Sequence, residues 1–136
     1  MSGIKKTIGV NVNQILGMTE GYIGISAIMN NSGVSAVNNA NSPYNGKKMV
    51  FAGTPVAGNF ENRAAAFTAA TTTNNVSDAV GVLVHDVCVD DGPENITVMA
   101  AGVVNLDRCK NIDINNVYTD EVKAALKDHI IFIKDN

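Results

Sequence analysis

The side chains most able to do chemistry in this chain lie between residues 85 and 95. His85-Asp86 is a pair found in metal-dependent phosphohydrolases, but such sites need further His and Asp ligands. The chain has only one other histidine, His129, which falls in a predicted helix. We therefore interpret His85 as a strand-end residue that packs or hydrogen bonds locally, and we expect no metal site and no cofactor.

Carboxylates are concentrated beside this pair. Hard oxygen ligands of this kind suit calcium, but their spacing is not that of an EF-hand, because Pro93 follows Gly92 where such a loop would continue. A solvated acidic turn needs no ion. The carboxylates in question are Asp86, Asp90, Asp91 and Glu94.

The two cysteines, Cys88 and Cys109, are the remaining candidate nucleophiles. A reactive thiol needs a nearby base and a lowered pKa, whereas Cys88 is predicted to lie on the strand face opposite His85. Their spacing is not CxxC, and the glycines form neither GxGxxG nor GxxxxGK[ST]. We expect free thiols in a reducing cytosol, no small-molecule substrate and no enzymatic activity.

Composition narrows the function classes further. A chain of 136 residues is most simply one domain with its own core. Two arginines and no basic stripe with interleaved aromatics argue against nucleic-acid binding. We expect no membrane span, because no segment approaches the ~20 apolar residues required. Asn11, Asn13 and Gln14 interrupt the segment after Lys5-Lys6, so we expect no secretory signal.

The strongest structural signal is a β-hairpin around the acidic turn 90–95. Apolar residues alternate at period 2 on both sides of the turn, and both faces of the hairpin are apolar. Such a hairpin must be covered on both faces, either by the rest of a sheet or by another subunit. The residues predicted to serve the core or an oligomer contact are Val80, Val82, Val84, Ile96, Val98 and Val104.

The N-terminal part of the chain has a different character. Ile4, Ile8, Val10 and Val12 lie on one side of a predicted extended segment, which suits strand addition to a partner. A turn-rich run at 38–46 then follows. We interpret residues 1–46 as an N-terminal arm or docking subdomain and 47–136 as the main β domain. The alternative is an ordinary first β-meander of a single domain.

The remaining elements complete a prediction of an α+β fold that is mainly β. We predict a strand at 48–52, a bend at 53–58 set by Pro55 and Gly58, and, in the ambiguous stretch 61–70, a strand. One helix of about three turns is predicted from the N-cap Thr119 to Lys127. Residues 130–133 are predicted to close the chain as a strand.

Three segments together resemble the lambda-type head decoration proteins and related head-fibre proteins of tailed phages. They are AGTPVAG at 52–58, NNVSDAVGVLVHDVCV at 74–89 and NITVMAAGVVNL at 95–106. The shared pattern covers about residues 48–110 and, more loosely, the helix at 118–126, whereas 1–46 match nothing in the family.

The resemblance implies a small, mostly β domain that binds the outside of an expanded capsid and stabilises it. It further implies synthesis in the host cytoplasm, a place on the virion exterior, the major capsid protein as partner, assembly as a trimer, and an N-terminal arm that augments the sheet of the shell. Two alternatives stay open: an outward-facing module for attachment to a host surface or glycans, and a tail or tube component.

Overall fold

A six-stranded β-sheet organises the part of the chain that the computed structural model describes, residues 21–70 and 78–135. The spatial order is β1-β7-β5-β3-β4, all antiparallel, and β8 runs parallel to β7. These strands are β1 (Ile23–Met29), β3 (Pro55–Ala57), β4 (Thr68–Ala69), β5 (Ala79–Leu83), β7 (Glu94–Asn105) and β8 (Ile130–Ile133). A separate pair contains β2 (Met49–Val50) and β6 (Val87–Cys88). The α+β, mainly β prediction is confirmed.

The predicted hairpin is present as the antiparallel pair β5 and β7, with Val82 opposite Met99 and Leu83 opposite Val98. The connection between its strands is longer than the predicted tight turn, because β5 ends at Leu83 and β6 lies within the connection. Two carboxylates hold this connection in place. Asp86 accepts a hydrogen bond from the Ala52 backbone N–H, and Asp90 accepts one from that of Lys48, each at 2.8 Å.

Each hairpin strand contains a register shift that changes which face its side chains occupy. In β5, Val56 pairs with Gly81 but Ala57 pairs with Ala79, so Val80 is the extra residue. In β7, Gly24 pairs with Met99 but Ile23 pairs with Ala101, so Ala100 is the extra residue. A bulge of this kind re-aims the residues beyond it. Uninterrupted alternation predicts one shared face for Ile96, Val98 and Val104, but Val104 packs opposite Ile96 and Val98. Val80 likewise packs opposite Val82 and Val84.

Both faces of the hairpin are covered within the chain. One face belongs to what we call the helix cluster, and the other to the inner cluster, which is formed by β1, β3, β5, β7 and Phe67. The helix cluster contains Val82, Val84, Met99, Val104, Leu106, Val122, Leu126 and Ile130 among others. The inner cluster contains Ala27, Met29, Val56, Phe67, Leu83, Ile96 and Val98 among others. The hairpin thus needs no second subunit to bury it.

The C-terminal segment packs on the helix cluster. The predicted helix is confirmed as α2 (Asp120–Leu126), and the Thr119 hydroxyl accepts a bond from the Val122 N–H. It has seven residues, about two turns rather than three, and Lys127 is its C-cap. A one-turn helix, α1 (Ile114–Val117), was not predicted. A 3₁₀ turn, Leu106–Arg108, follows β7 directly.

Three shorter predictions need correction. The predicted bend at 53–58 is a turn followed by β3, since Gly53 has φ +95° and Pro55 begins the strand. Pro is tolerated at the first position of a strand. The strand predicted at 61–70 is confined to Thr68–Ala69, and turns precede it. The strand predicted at 48–52 is confined to Met49–Val50.

Candidate interaction surface: the outer edge of β1

β1 lies at one edge of the sheet and pairs with β7 along all seven of its residues. Peptide groups in a strand point alternately to its two sides. Phe67 N–H donates to the Ile28 carbonyl at 2.7 Å, and Asn30 N–H donates to the Phe67 carbonyl at 2.9 Å. Even-numbered residues therefore direct their peptide groups away from β7. On this outer edge, no strand among the described residues pairs with Gly24 or Ser26.

The far end of the edge is already occupied. Met29 forms a parallel bridge with Phe67, which immediately precedes β4, so the two ends of the strand order meet at this point. Arg63 covers the next position, since its Nη1 donates to the Ser26 carbonyl at 3.0 Å. Among residues 21–70 and 78–135, the part of the edge without a partner strand therefore extends from Ile23 to Ser26.

Side-chain exposure along β1 agrees with this arrangement. Ala27 and Met29 are buried in the inner cluster, whereas Ile23, Gly24 and Ser26 are exposed. Ile23 is 60% exposed and Ile131, in β8, is 62% exposed; they are the exposed large hydrophobic residues of the described ranges. An open backbone edge beside an exposed apolar side chain favours strand addition.

The sequence contains a period-2 signal for β1. Ile23, Ile25, Ala27 and Met29 alternate between Gly21 and Asn30, which is the pattern of a half-buried strand. β1 also places residues before position 46 in the same sheet as β5 and β7. The predicted arm residues Ile4, Ile8, Val10 and Val12 lie outside the described residues, and the division after residue 46 stays a prediction.

The hairpin residues predicted to serve a core or oligomer contact lie inside the fold. Val82, Val84, Val98 and Val104 are fully buried, Ile96 is buried, and Val80 is half-buried. Apart from the half-buried Val80, they therefore offer no exposed apolar surface to a partner.

The candidate chemical groups are dispersed. His85 follows β5, and its Nδ1 is buried without a hydrogen-bond partner in the described part of the chain. It lines a shallow cleft with Ser26, Asn95 and Thr97. Its neighbour Asp86 is engaged with the Ala52 backbone. Within residues 21–70 and 78–135, no group of three or more His, Cys, Asp or Glu side chains is arranged to hold a metal ion.

The two free thiols have different environments. Cys88 is exposed, whereas Cys109 is buried in the helix cluster and its Sγ lies 3.6 Å from the Asn105 carbonyl oxygen. Burial raises the pKa of Cys109 from 9.0 to about 12, which keeps this thiol protonated at neutral pH. Tyr118, also buried, donates its hydroxyl to the Gly53 carbonyl.

The acidic turn has a structural role. The pKa of Asp90 is lowered, first by the bond from the Lys48 backbone N–H and then by one from the Cys88 thiol. This carboxylate joins the connection after β5 to the start of β2. The sequence alone indicated only a solvated acidic turn at this place. No helix in the described ranges is long and apolar enough to cross a membrane.

Comparison with models of protein families, with curated proteins and with solved structures found no match. The resemblance to phage head decoration proteins therefore rests on the sequence segments quoted above.

Proposed function

We propose that this protein is a structural virion protein that binds the outer surface of a tailed-phage capsid and stabilises it. The major capsid protein would be its partner, and the copies would bind as a homo-oligomer, a trimer by resemblance to the lambda-type proteins. Binding of this kind requires no turnover and no cofactor.

One observation carries the proposal: the three segments that resemble decoration proteins form neighbouring strands. Pro55, in the threonine-proline segment, pairs with Val82, and Val82 pairs on its other side with Met99. Leu83 N–H also donates to the Thr54 carbonyl at 2.9 Å, and Gly53 N–H donates to the Leu83 carbonyl at 2.8 Å. A resemblance spread over three separate stretches of sequence thus corresponds to one continuous structural unit, which supports the resemblance.

Capsid binding would use the segment that precedes β1. Ile4, Ile8, Val10 and Val12 give it one apolar side, and an added strand gains affinity from backbone bonds and register from alternate side chains. A contact of standard size buries about 800 Å² per partner and gives only modest net binding once ordering costs are included. Repetition over a lattice and bridging of neighbouring shell subunits would supply the stabilisation.

The test mixes the purified protein with undecorated heads. We expect saturable binding and greater resistance of the heads to heat. Val10→Asp should abolish binding, because it places a charge on the apolar side of the segment, while the denaturation curve of the free protein stays unchanged. Ser2→Asp adds the same charge outside the alternating run and should bind normally. A wild-type protein that leaves heads bare at saturating concentration rules the proposal out.

A further inference from the structure

The only Asn-Gly pair of the chain, Asn45-Gly46, lies in an exposed turn. Asparagine is a thermolabile residue, and a following glycine leaves the next backbone nitrogen unhindered, because it has no Cβ. The Gly46 nitrogen can attack Cγ of Asn45. A Cγ–N bond forms, the attacking nitrogen gives up its proton, the Cγ–Nδ2 bond breaks and ammonia leaves. Water then opens the cyclic imide at either carbonyl, which gives aspartate or isoaspartate.

The backbone of this turn holds the reacting atoms apart. Lys47 N–H donates to the Tyr44 carbonyl at 2.9 Å, and Gly46 has φ +84°. This bond, with positive φ at the third residue only, defines a type II turn, in which ψ of the second residue, Asn45, is about +120°. Ring closure requires Cβ of Asn45 to eclipse the Gly46 nitrogen. At this ψ the two atoms are about 120° apart around the Cα–C bond.

Both reacting groups are also engaged in hydrogen bonds. Gly46 N–H donates to the Val37 carbonyl at 2.8 Å, so the attacking nitrogen keeps its proton while this bond persists. Oδ1 of Asn45 accepts a bond from the Asn39 N–H at 2.9 Å, so its side chain cannot rotate toward Gly46 without losing that partner. Val37 N–H donates to the Lys47 carbonyl at 2.9 Å and closes the base of this loop, residues 37–47.

We infer that Asn45 is a deamidation site that the folded 37–47 loop holds closed, and that it reacts when this loop opens locally while the sheet stays folded. Segments held by exposed backbone bonds open at a lower free energy than the whole domain. The ring of Tyr44 limits this opening, because it packs edge-on against Phe51, with 5.3 Å between centroids, and so ties the loop to the residue that follows β2. The inference does not depend on capsid binding.

Incubation of the full-length protein in mildly alkaline buffer tests this inference. Mass spectrometry of the peptide that contains Asn45 measures its conversion to aspartate and isoaspartate. We expect the folded wild type to react at least about tenfold more slowly than the urea-unfolded chain. Tyr44→Ala should raise the rate in the folded protein at least about threefold, because it removes the ring that anchors the loop. Tyr44→Phe keeps the ring and should react as the wild type.

The wild type alone separates local from global opening. At urea concentrations below the unfolding transition, its rate should rise less steeply with urea than the unfolded fraction does, because a local opening exposes less surface. A rate that follows the unfolded fraction would overturn the inference. So would a folded wild type that reacts as fast as the unfolded chain, or equal rates in Tyr44→Ala and Tyr44→Phe proteins that circular dichroism shows to be folded.

Discussion

Replacement of Tyr118 by Phe tests how the C-terminal segment is fastened to the sheet. The hydroxyl donates to the carbonyl of Gly53, and both residues are buried. Gly53 lies in the turn that leads into β3, so this bond joins the end of α1 to the start of the strand that pairs with β5. The ring itself packs edge-on against Phe132, with 5.2 Å between centroids, and Phe retains that contact.

The magnitude follows from what the substitution leaves behind. Removing one partner of a buried bond costs about 1–3 kcal/mol, because the Gly53 carbonyl keeps its desolvation penalty without its donor. We therefore expect Tyr118→Phe to lower the free energy of unfolding by about 2 kcal/mol, whereas Tyr118→Ala, which also removes the ring, costs about 3–5 kcal/mol. With a slope near 2 kcal/mol per molar urea, the Phe variant should shift the urea midpoint by about 1 M.

Urea denaturation followed by circular dichroism measures this shift. Tyr44→Phe is the matched control: Tyr44 is half-buried, also packs edge-on, against Phe51, and should change the free energy of unfolding by less than about 0.5 kcal/mol. A Tyr118→Phe protein that unfolds within that margin of the wild type would refute the fastening role. A second readout is the tyrosinate absorbance. Burial raises the pKa of Tyr118 well above 10.0, so its ionisation signal should appear only when the protein unfolds in base.

Three further predictions concern other parts of the fold. Burial raises the pKa of Cys109 from 9.0 to about 12, so the free energy of unfolding should fall as pH rises from about 9 toward 12. Cys109→Ala should flatten this pH dependence in urea titrations. An unchanged slope in the variant would contradict the prediction. The pKa of Asp90 is lowered, so its bond from the Lys48 backbone N–H contributes stability above pH 3.8 that is lost as pH falls below that value. Asp90→Asn should therefore weaken the dependence of the free energy of unfolding on acid pH. An acid transition identical to that of the wild type argues against a stabilising role for the bond. Val82→Asp should prevent folding because it buries an unpaired charge, whereas Val10→Asp should leave thermal unfolding unchanged. Equal loss of folding in both variants would refute the division into an N-terminal arm and a main β domain.

The sequence was sufficient for the fold class, the β5–β7 pairing and the Thr119-capped helix, because each depends on local patterns. Period-2 alternation identifies a strand, and a capping residue followed by Asp120 and Glu121 identifies a helix start. Local patterns could not predict which cluster each side chain of β5 and β7 would face. A bulge is set by the register with the partner strand, and one extra residue in each of β5 and β7 moves Val80 and Val104 to the opposite cluster.

Predictions for the candidate site were limited for a related reason. Whether a strand lies at an edge is a property of the sheet order, and β1 is an edge strand because, among the described strands, it pairs with the 12-residue β7 alone. The roles of Asp86 and Asp90 are likewise long-range, since their backbone partners lie 34 and 42 residues away. A sequence window around the acidic turn contains neither partner.

The bulges also change the argument for assembly. A hairpin with two apolar faces suggests a contact between subunits, but one face packs in the helix cluster and the other packs in the inner cluster. Burial of these faces therefore gives no reason to expect a partner. One reason that remains is the short edge from Ile23 to Ser26, which no described strand covers and where backbone donors and an exposed isoleucine lie side by side. Any partner that binds by strand addition at this edge must displace or join whatever covers it.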